Sequence, residues 1–153
     1  MKRVTRSVLL WYSPREMYSL VTAVDEYPRF LPWCSKAEVI EQHDDGVTAR
    51  LHLAYAGVRH AFTTRNRNVA DVSVEVGLID GPFSVLQGNW QFIALPAPAG
   101  GEAGSRACRI DFELRYAFSN AALEAVLSPV FDKVANTLVD SFVKRAEQVY
   151  GSR

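Results

Sequence analysis

The sequence predicts an α+β domain in which a first strand, two short helices, six further strands and one long helix follow one another. Two stretches near the end of the chain support this prediction. Between Cys108 and Phe118, apolar residues occupy every second position, which is the period of an antiparallel strand with one buried face. Between Asn120 and Tyr150, apolar residues recur at helical spacing with charged residues opposite. A long helix across a curved sheet can leave a cavity that binds apolar molecules.

The first part of the chain contains the first strand and the two short helices. Residues 3–12 predict the strand. A capping box with a proline at the first helical position then starts a helix: Ser13, Pro14 and Glu16. We expect Asp25 to cap a second helix, which Pro28 and Pro32 limit to about two turns.

Six strand-like segments separated by turn residues follow. They are 36–43, 47–56, 58–69, 73–79, 83–95 and 108–118. The pair Asp45-Gly46 is a strong hairpin signal, and the stretch 96–105, rich in Pro, Ala and Gly, predicts a flexible hairpin loop. In the long helix we expect a kink or a fresh start at Pro129, with Ser128 as its cap.

The composition is that of an ordinary globular protein, and residues 1–153 most simply form one domain. Its 17 basic and 17 acidic residues give a net charge of zero, so no global field favours nucleic acid or an anionic membrane, although a local patch remains open. No stretch has the length of a membrane span or the pattern of a signal peptide. Cys34 and Cys108 lie outside any CxxC pair, which predicts reduced, buried thiols in a cytosolic protein.

Motifs of common enzyme chemistry are missing from the sequence. Its histidines form no metal-ligand cluster, and it has no GxSxG, Walker A or GxGxxG motif. Acid–base catalysis in a cavity would need a carboxylate or a histidine there, and the candidates are His60, Glu41 and Glu75. We expect no catalytic residue, no metal and no cofactor.

Several motifs together are similar to those of one family. They are Tyr27–Cys34, Phe62–Asn66, Asp80–Phe83 with Leu86, Gly88, Trp90 and Phe92, and Pro129–Phe131 with Phe142, Arg145 and Ala146. On these motifs the chain resembles the START-like polyketide cyclase and lipid-transport superfamily, in the branch of coenzyme Q-binding START proteins and bacterial ribosome association toxins. The resemblance covers nearly the whole chain. It implies a helix-grip fold, in which a curved seven-stranded antiparallel sheet wraps the long C-terminal helix around a hydrophobic cavity.

We expect the cavity to be lined by the inner face of the sheet, the C-terminal helix and the aromatic segment 27–33. The expected lining is Phe30, Leu31, Trp33, Leu51, Leu53, His60, Phe62, Thr64, Val76, Leu78, Trp90, Phe112, Phe131, Leu138 and Phe142. The segment 27–33 either closes over a ring-shaped ligand or packs between helix and sheet. Gly77 and Gly88 would each leave room above a strand.

The other face of strand 58–69 carries three arginines. Arg59, Arg65 and Arg67 are either contacts for the phosphates of ribosomal RNA or of lipid headgroups, or part of a solvated surface.

The leading interpretation is a non-enzymatic cytoplasmic carrier. It would bind ubiquinone or a related isoprenoid lipid in the cavity and support respiratory electron transport, and transient contact with the inner face of a membrane is left open. Each buried isoprene unit would contribute on the order of 3 kcal/mol. The alternative, which the resemblance also implies, is a toxin that binds the large ribosomal subunit and blocks subunit joining. A polyketide cyclase or aromatase is the weaker alternative, with His60, Glu41 and Glu75 as its candidate acids or bases. We expect no contact with DNA.

Overall fold

The computed structural model describes residues 1–95 and 107–153. The strands are β1 (Lys2–Leu10), β2 (Cys34–His43), β3 (Gly46–Tyr55), β4 (Val58–Val69), β5 (Ser73–Asp80), β6 (Phe83–Ala94) and β7 (Cys108–Phe118). The helices are α1 (Pro14–Thr22), a short 3-10 helix (Val24–Arg29) and α2 (Ala121–Tyr150). This is the predicted order of elements. The predicted loop 96–105 lies outside the described residues.

The seven strands form one antiparallel sheet in the order β1-β7-β6-β5-β4-β3-β2. Strands β2 to β7 form the predicted meander, and β1 pairs with β7 from Lys2↔Tyr116 to Leu10↔Cys108. The hairpin between β2 and β3 turns at Gly46, whose φ is 152° and whose missing Cβ would lie 1.9 Å from the Asn66 carbonyl oxygen. Only glycine fits there, so the hairpin signal is confirmed at the position the sequence predicted.

Alternation along β7 determines which face of the sheet is covered. Ile110, Phe112, Leu114 and Tyr116 are all buried. Tyr116 donates a hydrogen bond to Asp132 on α2, and its ring centroid lies 4.8 Å from that of Phe131. The predicted inner face of β7 therefore faces the long helix, and the register argument is confirmed.

The start of α1 follows the predicted capping box. Ser13 Oγ accepts from the Glu16 amide, and Glu16 Oε1 accepts from the Ser13 amide. The expectation that Asp25 caps the second helix is wrong, because Ala23 is the N-cap residue there and Asp25 lies in the first turn. The first strand also ends earlier than expected, at Leu10.

Helix α2 runs without interruption from Ala121 to Tyr150, so the expected fresh start at Pro129 is wrong. Asn120 caps the helix, since its side chain accepts from the Leu123 amide at 2.9 Å. Ser128 instead lies inside the helix and bonds to Asp132. Pro129 and the residue one turn before it, Ala125, are both exposed, so water can satisfy the carbonyl that the proline leaves without a donor.

Candidate functional site

The inner face of the sheet brings together most of the expected cavity lining. Nine of these side chains are buried in the core: Leu31, Trp33, Leu53, Phe62, Thr64, Trp90, Phe112, Phe131 and Phe142. Six are partly buried: Phe30, Leu51, His60, Val76, Leu78 and Leu138. Their placement agrees with the sequence analysis, and their role in binding stays a prediction.

Aromatic rings fill much of the space between the sheet and α2. The Trp90 ring centroid lies 4.5 Å from that of Phe112 and 5.2 Å from that of Phe142. Further along the helix, Phe131 lies 4.9 Å from Phe83. Rings at these separations are in van der Waals contact. The centre of this space is therefore packed with side chains.

The aromatic segment 27–33 takes part in this packing. The Tyr27 ring lies 5.5 Å from Phe142, and the Phe30 ring lies 5.1 Å from it. The Tyr27 hydroxyl donates to the Val21 carbonyl, which fixes the segment to α1. Of the two roles that the sequence left open for this segment, packing between helix and sheet is the one these contacts support.

A small cavity of about 40 Å³ lies between this segment, the end of β3 and α2. It is lined by Pro32, Trp33, Tyr55, Val130, Lys133, Val134 and Thr137. Lys133 Nζ donates to the Tyr55 hydroxyl at 2.8 Å and lies 5.1 Å above its ring. The volume suits one or two water molecules rather than a quinone ring.

A band of partly exposed apolar side chains remains on the inner face. Leu51, Val76 and Leu78 on the sheet and Leu138 on α2 pack against the core without being covered by it. Thr64, paired with Leu78 in the register, is buried and donates to Asn66 Oδ1 at 2.9 Å. This band is the part of the inner face that an apolar molecule with a polar end could still reach.

Of the three candidate acids and bases from the sequence, His60 lies on this face and the two glutamates do not. Glu41 and Glu75 are exposed, and Glu75 lies opposite Arg67 in the β4–β5 register, on the other face of the sheet. The described residues contain no group of three or more His, Cys, Asp or Glu side chains that could hold a metal ion. Burial raises the pKa of the Cys34 and Cys108 thiols to about 11, so neither is an activated nucleophile.

The outer face of the sheet carries the three arginines of β4. Arg59 and Arg67 are exposed and form no ion pair or hydrogen bond with any described residue. Arg65 is half-buried and donates to Asp45 in the β2–β3 turn. The prediction that the three arginines share the face of β4 opposite to Phe62 is therefore correct. Two of their three guanidinium groups form no ion pair with the described residues.

The outer face also has a concave region of about 420 Å³, which we call the outer hollow. It is lined by Arg65, Arg67, Glu75, Val76, Gly77, Leu78, Gln87, Gly88, Asn89, Glu113 and Arg115. Gly77 pairs with Arg65 on one side and with Gln87 on the other. The sequence analysis missed this hollow, because it expected Gly77 to leave room on the inner face.

Comparison with known proteins establishes the family. The family described as polyketide cyclase / dehydrase and lipid transport matches residues 10–143. The chain belongs to this family. The START-like superfamily and the helix-grip fold that the motifs implied are thereby confirmed, and the seven-stranded curved sheet around α2 agrees with the solved structures of the superfamily.

Among curated relatives, the chain is similar to two proteins named ribosome association toxin RatA. It is 41% identical to the one from Pseudomonas aeruginosa over 148 residues, which is 97% of each chain. It is 37% identical to the one from Escherichia coli K12 over 153 residues, all of this chain and 92% of that one. A mitochondrial coenzyme Q-binding protein COQ10 homolog B from Xenopus laevis is 26% identical over 148 residues, 96% of this chain and 59% of that one.

Two solved structures illustrate the fold. The solution structure of the 18 kDa protein CC1736 from Caulobacter crescentus has a TM-score of 0.71 and 32% identity, covering 99% of this chain and all of that one. The Zhui aromatase/cyclase from Streptomyces has a TM-score of 0.74 at 17% identity, covering 96% of this chain and 94% of that one, and shows the fold alone. No helix in the described part of the chain combines the length and apolar character needed to cross a membrane.

Proposed function

We propose that this protein is a non-enzymatic inhibitor of translation that associates with the large ribosomal subunit and hinders subunit joining. The observation that carries the proposal is the similarity, over nearly the full length, to proteins named ribosome association toxin RatA. This was the alternative in the sequence analysis. It now ranks above the quinone carrier, since the more distant relative is the one named for coenzyme Q.

Two features of the molecule support this ranking. The interior between sheet and α2 is packed with rings, which leaves the surface as the larger area for recognition. On that surface Arg59 and Arg67 form no ion pair with a carboxylate in the part of the chain that the structure describes. An unpaired guanidinium is available to a phosphate, and phosphate contacts dominate the affinity of proteins for RNA.

Co-sedimentation tests the proposal. Purified protein is centrifuged with isolated large or small subunits over a salt series, and the yield of joined ribosomes is measured with and without it. We expect association with large subunits that weakens as salt rises, together with a lower yield of joined ribosomes. Absence of co-sedimentation even at low salt would overturn the proposal.

A charge-matched pair of variants then locates the contact. Changing Arg59, Arg65 and Arg67 to Gln removes three positive charges from the outer face. The control changes three exposed cations elsewhere, Arg15, Arg29 and Lys144, to Gln. Only the first variant should lose association, and its salt dependence should become less steep.

The second candidate is a carrier of an apolar ligand such as ubiquinone. It is supported by the partly exposed band of Leu51, Val76, Leu78 and Leu138 next to the hydrogen-bonded pair of Thr64 and Asn66. The test is quenching of tryptophan fluorescence by a short-tailed quinone, followed by mass spectrometry of an organic extract of the purified protein. Saturable quenching with a co-purified isoprenoid would support the carrier, and neither signal at millimolar quinone would rule against it.

A further inference from the structure

Sheet register builds the outer hollow from four strands. Across β4, β5, β6 and β7 one row of paired positions is Arg65, Gly77, Gln87 and Arg115. The next row is Arg67, Glu75, Asn89 and Glu113. In the first row Gly77 contributes no side chain between Arg65 and Gln87. The hollow exists because this position, with polar side chains on both sides, is glycine.

The charges around the hollow favour an anion. Arg67 has no described partner, while Arg115 Nε donates to Glu113 at 2.7 Å and leaves its terminal nitrogens available. Glu113 also accepts from Arg3 at 2.8 Å, so two guanidinium groups share one carboxylate. Arg65 is turned toward Asp45 on the rim. The lining itself has three arginines, Arg65, Arg67 and Arg115, and two glutamates, Glu75 and Glu113. With Arg3 and Asp45 on the border, four arginines face three carboxylates, so one positive charge is in excess.

The hollow continues toward the edge of the sheet. An adjoining concavity of about 420 Å³ shares Asn89 and Glu113 with it and adds four outer-face residues from β1, β6 and β7: Thr5, Ser7, Gln91 and Asp111. Arg6 and Phe112 also border it, but their side chains are turned toward α2 and the core. Hydroxyl and amide groups of this kind donate to phosphate and ribose oxygens. The two concavities together form a polar track suited to an extended ligand.

The lining also indicates how a nucleic acid would be bound. None of the described residues that line the outer hollow carries an aromatic ring. Proteins that bind unpaired bases usually stack them on aromatic side chains, whereas double-helical RNA is recognised through phosphates and 2′-hydroxyl groups. Guanidinium and amide groups without a stacking surface match the second mode.

Resting on the proposed ribosome association, we infer that the outer hollow is the RNA contact and that it binds the sugar–phosphate backbone of double-helical RNA. Arg67 and Arg115 hold phosphates, and Gln87 and Asn89 bond to ribose or phosphate oxygens. Recognition is by shape and charge rather than by base sequence.

Gly77 offers a matched pair of test variants. Its φ lies outside the left-handed region, and an added Cβ would come no closer than 3.8 Å to the Arg65 carbonyl oxygen. Gly77→Glu and Gly77→Gln should therefore both fold and add the same bulk, differing only in charge. Equal thermal midpoints of the two variants are the folding control.

The measurements are co-sedimentation with large subunits and fluorescence anisotropy with a labelled RNA duplex of about 16 base pairs. An oligo-U strand with the same number of phosphates is the comparison probe. We expect the parent to bind the duplex more tightly than oligo-U. Gly77→Glu should bind both the duplex and the subunits about tenfold more weakly than Gly77→Gln. Arg67→Gln should reduce the slope of log affinity against log salt concentration by about 0.9.

The failures are distinguishable. If the parent, Gly77→Glu and Gly77→Gln all sediment with subunits to the same extent, the hollow is not the contact and the proposed function stands. If the parent binds subunits but neither RNA probe, the contact is with ribosomal protein and the inference is overturned. If the parent binds oligo-U more tightly than the duplex, the inferred binding to the sugar–phosphate backbone of double-helical RNA is wrong. A parent that sediments with no subunit overturns the proposed function, and the inference with it.

Discussion

Truncating Phe142 to alanine tests whether the interior is packed. The side chain is 1% exposed, and its ring centroid lies 5.1 Å from Phe30, 5.2 Å from Trp90 and 5.5 Å from Tyr27. Loss of a fully buried phenylalanine costs about 3–5 kcal/mol, and three ring contacts put this site toward the upper end of that range. We expect a loss of about 4 kcal/mol in the free energy of unfolding.

Urea denaturation followed by far-UV circular dichroism measures this loss, provided that the slope m is unchanged. The control is Val149→Ala on the same helix, because Val149 is 48% exposed and should change stability by about 0.5 kcal/mol or less. A loss below about 2 kcal/mol for Phe142→Ala would refute the reasoning. So small a loss would mean that the Phe142 ring faces open space, and binding of an apolar ligand such as ubiquinone would again be the leading candidate function.

Three further predictions concern the first helix, the last helix and the inner face. The Arg153 guanidinium donates to Glu16 and holds the pKa of this carboxyl below its usual range. The negative charge of Glu16 therefore stabilises the folded state above about pH 4, and this stabilisation is lost as the pH falls through the lowered pKa. The stability difference between the parent and Glu16→Gln, which can keep the capping box, should therefore shrink from pH 7 to pH 3 in urea titrations. Asn120→Ala should cost about 1 kcal/mol by the same assay, and Asn120→Asp should cost almost nothing, because aspartate also caps helices well. Leu78→Glu should abolish quinone quenching if the apolar band binds quinone, while Leu78→Met retains it; equal quenching by the two variants would contradict this.

The fold could be predicted because its signals are local. The period of two along β7 specifies its inner face, and the pair Asp45-Gly46 specifies a turn that only glycine can make. The helical spacing from Asn120 onward predicted the position of α2, but a second start at Pro129 was expected because the proline was given too much weight. Its missing amide matters little where the helix faces solvent, and the cap at Asn120 begins the helix two turns earlier.

The candidate site was harder to predict because it depends on register. Strand alternation alone placed Arg59, Arg65 and Arg67 on one face. No local pattern indicates that Gln87 and Arg115 lie in the same row as Gly77, since that neighbourhood is created by pairing between four strands. The packing of the interior was also beyond prediction, because a helical stripe of apolar residues looks the same whether its rings meet those of the sheet or leave a cavity.

The two candidate partners approach opposite faces of one strand. Gly77 lines the outer hollow between Arg65 and Gln87, while the side chain of Leu78, the next residue, packs against the inner core. Because successive residues of a strand face opposite sides, substitutions can change the outer surface of the sheet without altering its apolar inner surface, and substitutions on the inner surface can leave the outer one unchanged. The fold requires that apolar and polar side chains alternate along each strand, but it does not specify which polar residues stand on the outer face. Relatives named for ribosome association and for coenzyme Q can therefore share the fold. In this family each face of the sheet must therefore be considered separately as a binding surface. In this chain the arginines without an ion-pair partner among the described residues favour the outer face.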